Sequence, residues 1–245
     1  MFGTDGVAYY EGLQTRLQSG NWHGLNLLNS YTWSKCIDTK SSAATSAVGA
    51  ENQEPQNQFD RHKGERGRCF IDYRQQFKIN AVYALPFGSS LTGVAGHILK
   101  GWQLSTNLLL QSGPASTITV SGNPANTGRG AIRPNRITDG NLPASQRKPE
   151  RWFDTAAFVQ APPFTFGNSG RGVMEGPASK LVDFSLLKAF RVSEGHRLEL
   201  RGDFFNAFNT PQFFVPGLVV GTAEFGRVTT TGPAREIQVG LRYTF

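Results

Sequence analysis

The nine C-terminal residues, Ile237-Gln238-Val239-Gly240-Leu241-Arg242-Tyr243-Thr244-Phe245, alternate between apolar and polar positions. Successive side chains of a β-strand point to opposite faces of the sheet, so a period of two predicts a strand with one apolar and one polar face. The stretch therefore predicts a sheet that meets an apolar environment on one side and polar groups on the other.

Six further segments show the same alternation. Together with the C-terminal stretch they predict seven strands, at residues 10–17, 25–33, 77–85, 102–111, 182–191, 197–204 and 237–245. These strands are about ten residues long, which is the length that a tilted strand needs to cross a bilayer. Strands of soluble proteins are usually shorter, at about five or six residues.

The connections between the predicted strands alternate in length. Shorter turns occupy residues 19–24, 88–101 and 193–195, and long segments rich in Gly, Pro and Asn, without predicted secondary structure, occupy residues 34–73, 112–180 and 207–235. Three such long segments are uncommon in a compact soluble domain. A membrane-spanning meander accounts for them, because its short turns lie on one side of the bilayer and its long loops on the other.

The predicted fold class is therefore all-β, an antiparallel transmembrane β-meander of about seven long strands with long extracellular loops. It would form part of an outer-membrane β-barrel, and the barrel would be incomplete because seven strands leave two open edges. Aromatic residues occur at strand ends, where the interfacial girdles of a barrel lie: Tyr31, Trp33, Tyr83, Phe87, Trp102, Phe190, Tyr243 and Phe245. The alternative is a soluble β-sandwich with these aromatic side chains in its core.

Composition and charge narrow the function classes. The 245 residues have a mean hydropathy of −0.34 and contain no apolar run long enough for a transmembrane helix. The formal net charge of +7 would suit nucleic acid, anionic lipid or an acidic ligand. No dense Lys/Arg stripe or nucleic-acid-binding motif is present, so we expect no nucleic-acid partner. Residues 1–20 lack the basic and apolar segments of a secretory signal peptide.

A series of short motifs runs in order along nearly the whole chain. They include Tyr10-Glu11-Gly12-Leu13-Gln14, Tyr31-Thr32-Trp33-Ser34-Lys35, Tyr83-Ala84-Leu85-Pro86-Phe87-Gly88, Gly101-Trp102-Gln103-Leu104-Ser105, Trp152-Phe153-Asp154-Thr155-Ala156-Ala157-Phe158, Phe204-Phe205-Asn206-Ala207-Phe208-Asn209 and the C-terminal stretch. This ordered series resembles the C-terminal β-barrel portion of TonB-dependent outer-membrane receptors, in particular the Oar-like group with a carboxypeptidase-regulatory-like N-terminal domain.

The resemblance implies that residues 1–245 are the C-terminal portion of a barrel of about 22 strands, without the signal peptide, energy-coupling box and plug domain. The parent receptor would lie in the outer membrane of a Gram-negative bacterium. It would take up a scarce ligand of siderophore, oligosaccharide or peptide type, coupled to the TonB complex through the plug. Outer-membrane lipid and lipopolysaccharide would be its surroundings.

The last strand resembles the signal by which outer-membrane barrels are recognised for insertion. Its outward residues would be Val239, Leu241, Tyr243 and Phe245. An apolar strand with an aromatic end can pair at an open sheet edge, so we expect the barrel-assembly machinery as a partner. The alternative is an ordinary final strand.

Two cysteines, Cys36 and Cys69, flank the first long loop. In an oxidising compartment they could form a disulfide, which would stabilise the fold by ~4 kcal/mol on the loop-entropy model. Sequence alone leaves the pairing open, because the geometry decides it. A metal site is disfavoured, since His62 is the only nearby additional ligand.

Charged residues alternate with apolar ones in the last two predicted strands and would face the barrel lumen: Arg197, Glu199, Arg201, Asp203, Glu236 and Arg242. They could line a substrate path or contact a plug, but solvated ion pairs between neighbouring strands are the expected arrangement. Basic loop segments at residues 61–63, 65–68 and 129–136 could contact lipopolysaccharide phosphates, or could be ordinary solvated loops. Residues 167–172 (GNSGRG) are expected to form a turn rather than a phosphate-binding loop.

No catalytic motif is apparent. The four histidines are far apart in sequence, and no nucleophile or acidic pair occurs in a pattern typical of an active site. We therefore expect neither enzymatic activity nor a cofactor. Two other functions stay open at this point, a soluble carbohydrate-binding module and a surface barrel with an adhesive or structural role.

Overall fold

The computed structural model describes residues 6–39, 55–57, 59–60, 64–88, 90–127 and 132–245. Its elements, in chain order, are β1 (Ala8–Trp22), β2 (Leu25–Asp38), β3 (Gly67–Arg68), β4 (Gln75–Ala84), α1 (Gly93–Leu99), β5 (Trp102–Gln111), β6 (Ala115–Ser116), β7 (Thr119–Val120), β8 (Asn135–Arg136), two short 3₁₀ helices (Ala144–Gln146 and Thr155–Ala157), β9 (Phe158–Val159), β10 (Met174–Glu175), β11 (Ser179–Ser193), β12 (His196–Phe205), β13 (Val219–Val220) and β14 (Glu236–Thr244).

The seven long strands form a single antiparallel meander in the order β1-β2-β4-β5-β11-β12-β14, and the short β3 pairs with the end of β2. All seven predicted strands and the all-β fold class are confirmed. The long strands do not divide into two packed sheets, so the β-sandwich alternative does not describe this fold. Within the described residues the sheet does not close, and β1 and β14 are its two edges.

The register gathers the apolar residues on one face. One row across neighbouring strands runs through Leu25, Tyr83, Leu104, Leu186 and Val239, with Gly202 of β12 between the last two. A strand has a side-chain period of two, so along each strand the residues next to this row point to the opposite face. Those residues are mostly polar. The pairing therefore extends the alternation of each strand into two continuous surfaces.

Tight turns connect two of the strand pairs. Only His23 and Gly24 link β1 to β2, and both have positive φ, 49° and 87°, as the type I′ turn of a two-residue hairpin requires. Glu194 and Gly195 link β11 to β12, with Gly195 at φ 83°.

The third connection on this side differs from the expected simple turn, because it contains the helix α1. The helix is held against the next strand, since the Trp102 indole nitrogen donates a hydrogen bond to the Ile98 carbonyl. The described residues contain no helix of the length and hydrophobicity required to span a membrane.

The long connections fold, contrary to the expectation that they lack secondary structure. Residues 112–178 contain short two-residue strands and a cluster of buried side chains: Ile118, Phe153, Ala157, Phe158 and Met174. Phe225 and Leu218 of the third long connection pack against this cluster. Phe153, Phe158 and Phe225 contact one another edge to face, with ring centroids 5.2–6.5 Å apart. Apolar side chains from separate segments thus bury one another. The fully buried apolar core lies at the end of the sheet from which the three long connections extend, which we call the loop end.

Candidate functional site

A disulfide lies where the first long loop leaves the sheet. Cys36, near the end of β2, is bonded to Cys69, with the Cα atoms 5.3 Å apart and both residues buried. The Cys69 amide donates to the Cys36 carbonyl, and the Cys36 amide donates to the Asp72 carboxylate at 2.8 Å. The bond therefore closes the first long loop at its base.

The Asp72 carboxylate is buried beside this disulfide and is paired with two arginines. Arg68 Nε lies 2.6 Å and Arg74 Nε 3.0 Å from Asp72 Oδ2. A buried carboxylate needs such donors, because burying an unpaired charge costs several kcal/mol. These contacts fix the backbone between the cysteine bridge and the start of β4.

Glu65 of the first loop and Arg133 of the second form a second buried pair. Arg133 donates from both terminal nitrogens to the two Glu65 oxygens, at 2.8 and 3.0 Å, and the two side chains are 4% and 2% exposed. Arg133 also donates to the carbonyls of Ser169 and Gly64, and Glu65 accepts the Gln56 amide. Two parallel hydrogen bonds between charged groups give strength and a defined geometry.

A third pair joins the second loop to the sheet. Arg171 donates to Asp38 Oδ1 at 2.7 Å, and its other terminal nitrogen donates to the Glu65 carbonyl at 2.7 Å. Asp38 is the last residue of β2, so Arg171 connects the end of a spanning strand with both loops. In the described part of the chain no buried side-chain nitrogen or oxygen is without a hydrogen-bond partner.

These ion pairs were not predicted from the sequence. The segment 167–172 was expected to be a turn; residues 171–172 form a turn, residues 167–170 are irregular, and Arg171 is buried. The paired residues lie 68 and 133 positions apart in the chain. Their only local indication was a group of charged residues inside loops otherwise rich in Gly, Pro and Asn. Residues 61–63 and 129–131 of the predicted basic segments lie outside the described residues.

The charges predicted to face the lumen share the polar face of the sheet by register, namely Arg197, Glu199, Arg201, Asp203, Glu236 and Arg242. For β12 the expected pairing between strands is met only in the register, which places Glu199 opposite Arg242 without an ion pair between them. Its ion pairs run along the strand instead, from Arg197 to Glu199 at 2.7 Å and from Arg201 to Asp203 at 2.9 Å. The reason is the register: Thr244, Gly240 and Gln238 lie opposite Arg197, Arg201 and Asp203, so these three charges face no opposite charge on β14.

The final strand presents the predicted assembly residues on the apolar face. Val239, Leu241 and Tyr243 are all more than half exposed, and Phe245 follows the strand at 89% exposure. The Tyr243 hydroxyl lies 2.6 Å from His196 Nδ1, and the two rings are stacked. The strand is thus anchored at the short-turn side and pairs only through β12 among the described residues.

A shallow hollow of 200 Å³ lies on the sheet, and most of its lining belongs to the polar face: Lys78, Asn80, Asn107, Leu109, Leu181 and Asp183, with Leu108 beside them. Within the described ranges no group of three or more His, Cys, Asp or Glu residues is arranged to hold a metal ion.

A family model described as an outer membrane beta barrel domain matches residues 1–238. The chain belongs to this outer membrane beta-barrel family. Its location is therefore the outer membrane, with the apolar face of the sheet against lipid and the polar face toward the barrel interior. A search of curated proteins returned no match.

Membership in the barrel family explains where this domain buries its apolar side chains. The apolar face of the sheet carries many exposed large residues, including Leu13, Leu17, Trp33, Leu110 and Leu200. Lipid, rather than a second sheet or a helix layer, covers such a face.

Proposed function

We propose that the chain is the C-terminal part of the barrel of a TonB-dependent receptor of the Oar-like group, in the outer membrane of a Gram-negative bacterium. The receptor takes up a scarce ligand of siderophore, oligosaccharide or peptide type. It acts by binding and by motion of a plug domain, without enzymatic activity. Its partners are outer-membrane lipid and lipopolysaccharide, the barrel-assembly machinery and, through the plug, the TonB complex.

The observation that carries this proposal is the open sheet. β1 and β14 leave their outer edges unpaired among the described residues. Unpaired backbone groups cost several kcal/mol each in lipid, so a spanning sheet needs partners on both edges. Further strands of a larger barrel, of about 22 strands in transporters of this type, provide them. The ordered motifs that resemble Oar-like receptors support this proposal.

The contacts that hold the loop end together support a role as a receptor. Ligand-binding surfaces need side chains held in place, and the two buried arginine pairs and the disulfide join three separate parts of the chain there. In the proposed orientation these loops face the cell exterior, where a ligand arrives. The polar face of the sheet then lines the route below them.

Energy coupling can be tested in the native host with the complete gene that carries this chain. Ligand pools of the three proposed types are supplied, and growth or uptake is compared between the intact strain, a strain without this gene and a strain without TonB. We expect uptake of one ligand to be lost in both deletion strains. Uptake that needs the gene but not TonB would contradict the proposal. A phenotype in surface attachment alone, abolished by deleting residues 112–178, would instead indicate an adhesive role.

Membrane insertion is a separate measurement. The protein should partition with outer membranes and migrate differently on gels before and after boiling. A soluble monomer that melts cooperatively in buffer without detergent would contradict the barrel assignment itself.

A further inference from the structure

An open depression of 560 Å³ lies between the first and second long loops and is lined by four arginines, Arg66, Arg68, Arg136 and Arg171. We call it the arginine pocket. Its single acidic lining residue is Asp139. Cavities of about 300–1,000 Å³ are typical of small-molecule sites. The pocket is separate from the hollow on the polar face of the sheet, with which it shares no lining residue.

Glycines make the close approach of the two loops possible. A Cβ atom on Gly67 would lie 2.5 Å from Arg171 Cβ, and one on Gly172 would lie 2.8 Å from Arg68 Cβ. Gly172 also has φ +61°, a conformation that favours glycine. Backbone from β3 and from residues 170–173 therefore meets without intervening side chains. A concave surface bounded by backbone and guanidinium groups results.

The arginines of the pocket differ in how fully their charges are paired. Arg171 and Arg68 are committed to the buried carboxylates of Asp38 and Asp72. Arg136 pairs with Asp139, whose side chain is 72% exposed, and its Nε and Nη2 atoms also donate to the carbonyls of Thr138 and Asp139. Among the described residues the Nη1 atom of Arg136 has no hydrogen-bond partner, so it can donate to an incoming anion, and replacing the exposed Asp139 carboxylate costs little stability.

Arg66 has the least committed charge. Its side chain is exposed, and its guanidinium lies 5.9 Å from the centre of the Tyr9 ring. Among the described residues it forms no ion pair. The pocket therefore presents the guanidinium of Arg66, which forms no ion pair among the described residues, and one open guanidinium nitrogen of Arg136.

We propose that the arginine pocket binds a phosphate group of a ligand at the loop end of the protein. Guanidinium groups are donors that match the geometry of phosphate oxygens, and two of them, from Arg66 and Arg136, line this one depression. Ile37 and Val173 also line the cavity and provide apolar surface for the carbon skeleton that carries the phosphate. The proposal does not depend on energy-coupled uptake, because binding is measured on the isolated protein.

The test is calorimetric titration of the full protein, purified in a lipopolysaccharide-free detergent, with inorganic phosphate. We expect saturable binding that weakens as salt is raised, because the contact is between charges. Arg66→Ala and Arg136→Ala should each weaken it by about tenfold or more, since a hydrogen bond to a charged group is lost. Arg151→Ala removes an exposed arginine of the second loop that does not line the pocket and should leave the affinity unchanged.

Binding weaker than about 10 mM, or an equal effect of all three variants, would overturn the proposal. Equal circular dichroism spectra and an intact disulfide in each variant show that a lost affinity is not a lost fold.

Two sources could supply the phosphate, a dissolved ligand or the headgroup of lipopolysaccharide. Repeating the titration in phosphatidylcholine vesicles with and without lipopolysaccharide distinguishes them. If lipopolysaccharide occupies the pocket, it should abolish phosphate binding by the unmodified protein. If the source is a dissolved ligand, the phosphate affinity should be the same in both vesicles.

Discussion

Arg133 and Glu65 come from two different long loops, yet their guanidinium and carboxylate groups meet through two parallel hydrogen bonds with almost no solvent exposure. Replacing one partner of a buried pair leaves the other charge uncompensated, which costs about 3–5 kcal/mol. We therefore expect Glu65→Ala to release the contact between the two loops. Hydrogen exchange of the amides in residues 132–135 and 167–171 should accelerate.

The matched control is Arg151→Ala, which breaks an exposed pair with Asp154 in the same loop. An exposed pair contributes about 1 kcal/mol or less, so exchange in these segments should hardly change. Equal acceleration in the two variants would show that the buried pair does not hold the loops together.

Reduction of the disulfide should weaken the base of the first loop. We expect Cys36→Ser with Cys69→Ser to lower stability by about 4 kcal/mol on the loop-entropy model and to expose residues 64–72 to protease. Thiol alkylation of protein taken from the outer membrane, followed by mass spectrometry, measures the redox state directly. Two alkylated cysteines before any reducing agent is added would contradict the bond.

Lys188 is an unusual cation on the apolar face of β11. It is almost fully buried, its ammonium donates to the Lys100 carbonyl, and it lies 4.6 Å from the Phe190 ring centre and 5.7 Å from that of Trp102. A carboxylate there would face a carbonyl oxygen and the negative faces of two rings.

We expect Lys188→Glu to destabilise the sheet by about 3 kcal/mol and Lys188→Arg to retain most of the stability. The heat-dependent gel shift of the membrane protein, followed over temperature, measures the difference. If both variants shift at the unmodified protein's temperature, the contacts of the ammonium group do not stabilise the sheet.

In the final strand, a substitution on the apolar face can be compared with one on the polar face. Leu241→Asp places a charge on the apolar face, and we expect it to reduce the assembled protein in outer membranes on the order of tenfold. Arg242→Gln changes the adjacent residue on the polar face and should have little effect. Immunoblots of boiled and unboiled outer membranes give the two amounts. Equal losses would show that the outward residues Val239, Leu241 and Tyr243 are not specifically recognised.

The long strands were predictable because the evidence for them is local. A period of two is visible within ten residues, and the turn glycines Gly24 and Gly195 lie between the alternating segments. The helix α1 was missed because seven residues following a turn with Pro86 and Gly88 show too little periodicity to distinguish a helix from a loop.

The loop end could not be predicted, because its contacts are between residues distant in the chain. Phe153 and Phe158 meet Phe225 about seventy positions later, and Arg171 meets Asp38, 133 positions earlier. None of these residues stands in a periodic pattern. Cys36 and Cys69 were an exception only in part: two cysteines allow a single pairing within the chain, but the sequence left open whether that bond forms.

The number of spanning strands has a geometric consequence. In an antiparallel meander, neighbouring strands run in opposite directions, so the first and the seventh, β1 and β14, run in the same direction. Curling the sheet until they met would create a parallel seam, and two copies side by side with the same membrane orientation would also join by parallel seams. A wholly antiparallel barrel with an even number of strands, as in bacterial single-chain barrels, therefore requires an odd number of strands in addition to these seven.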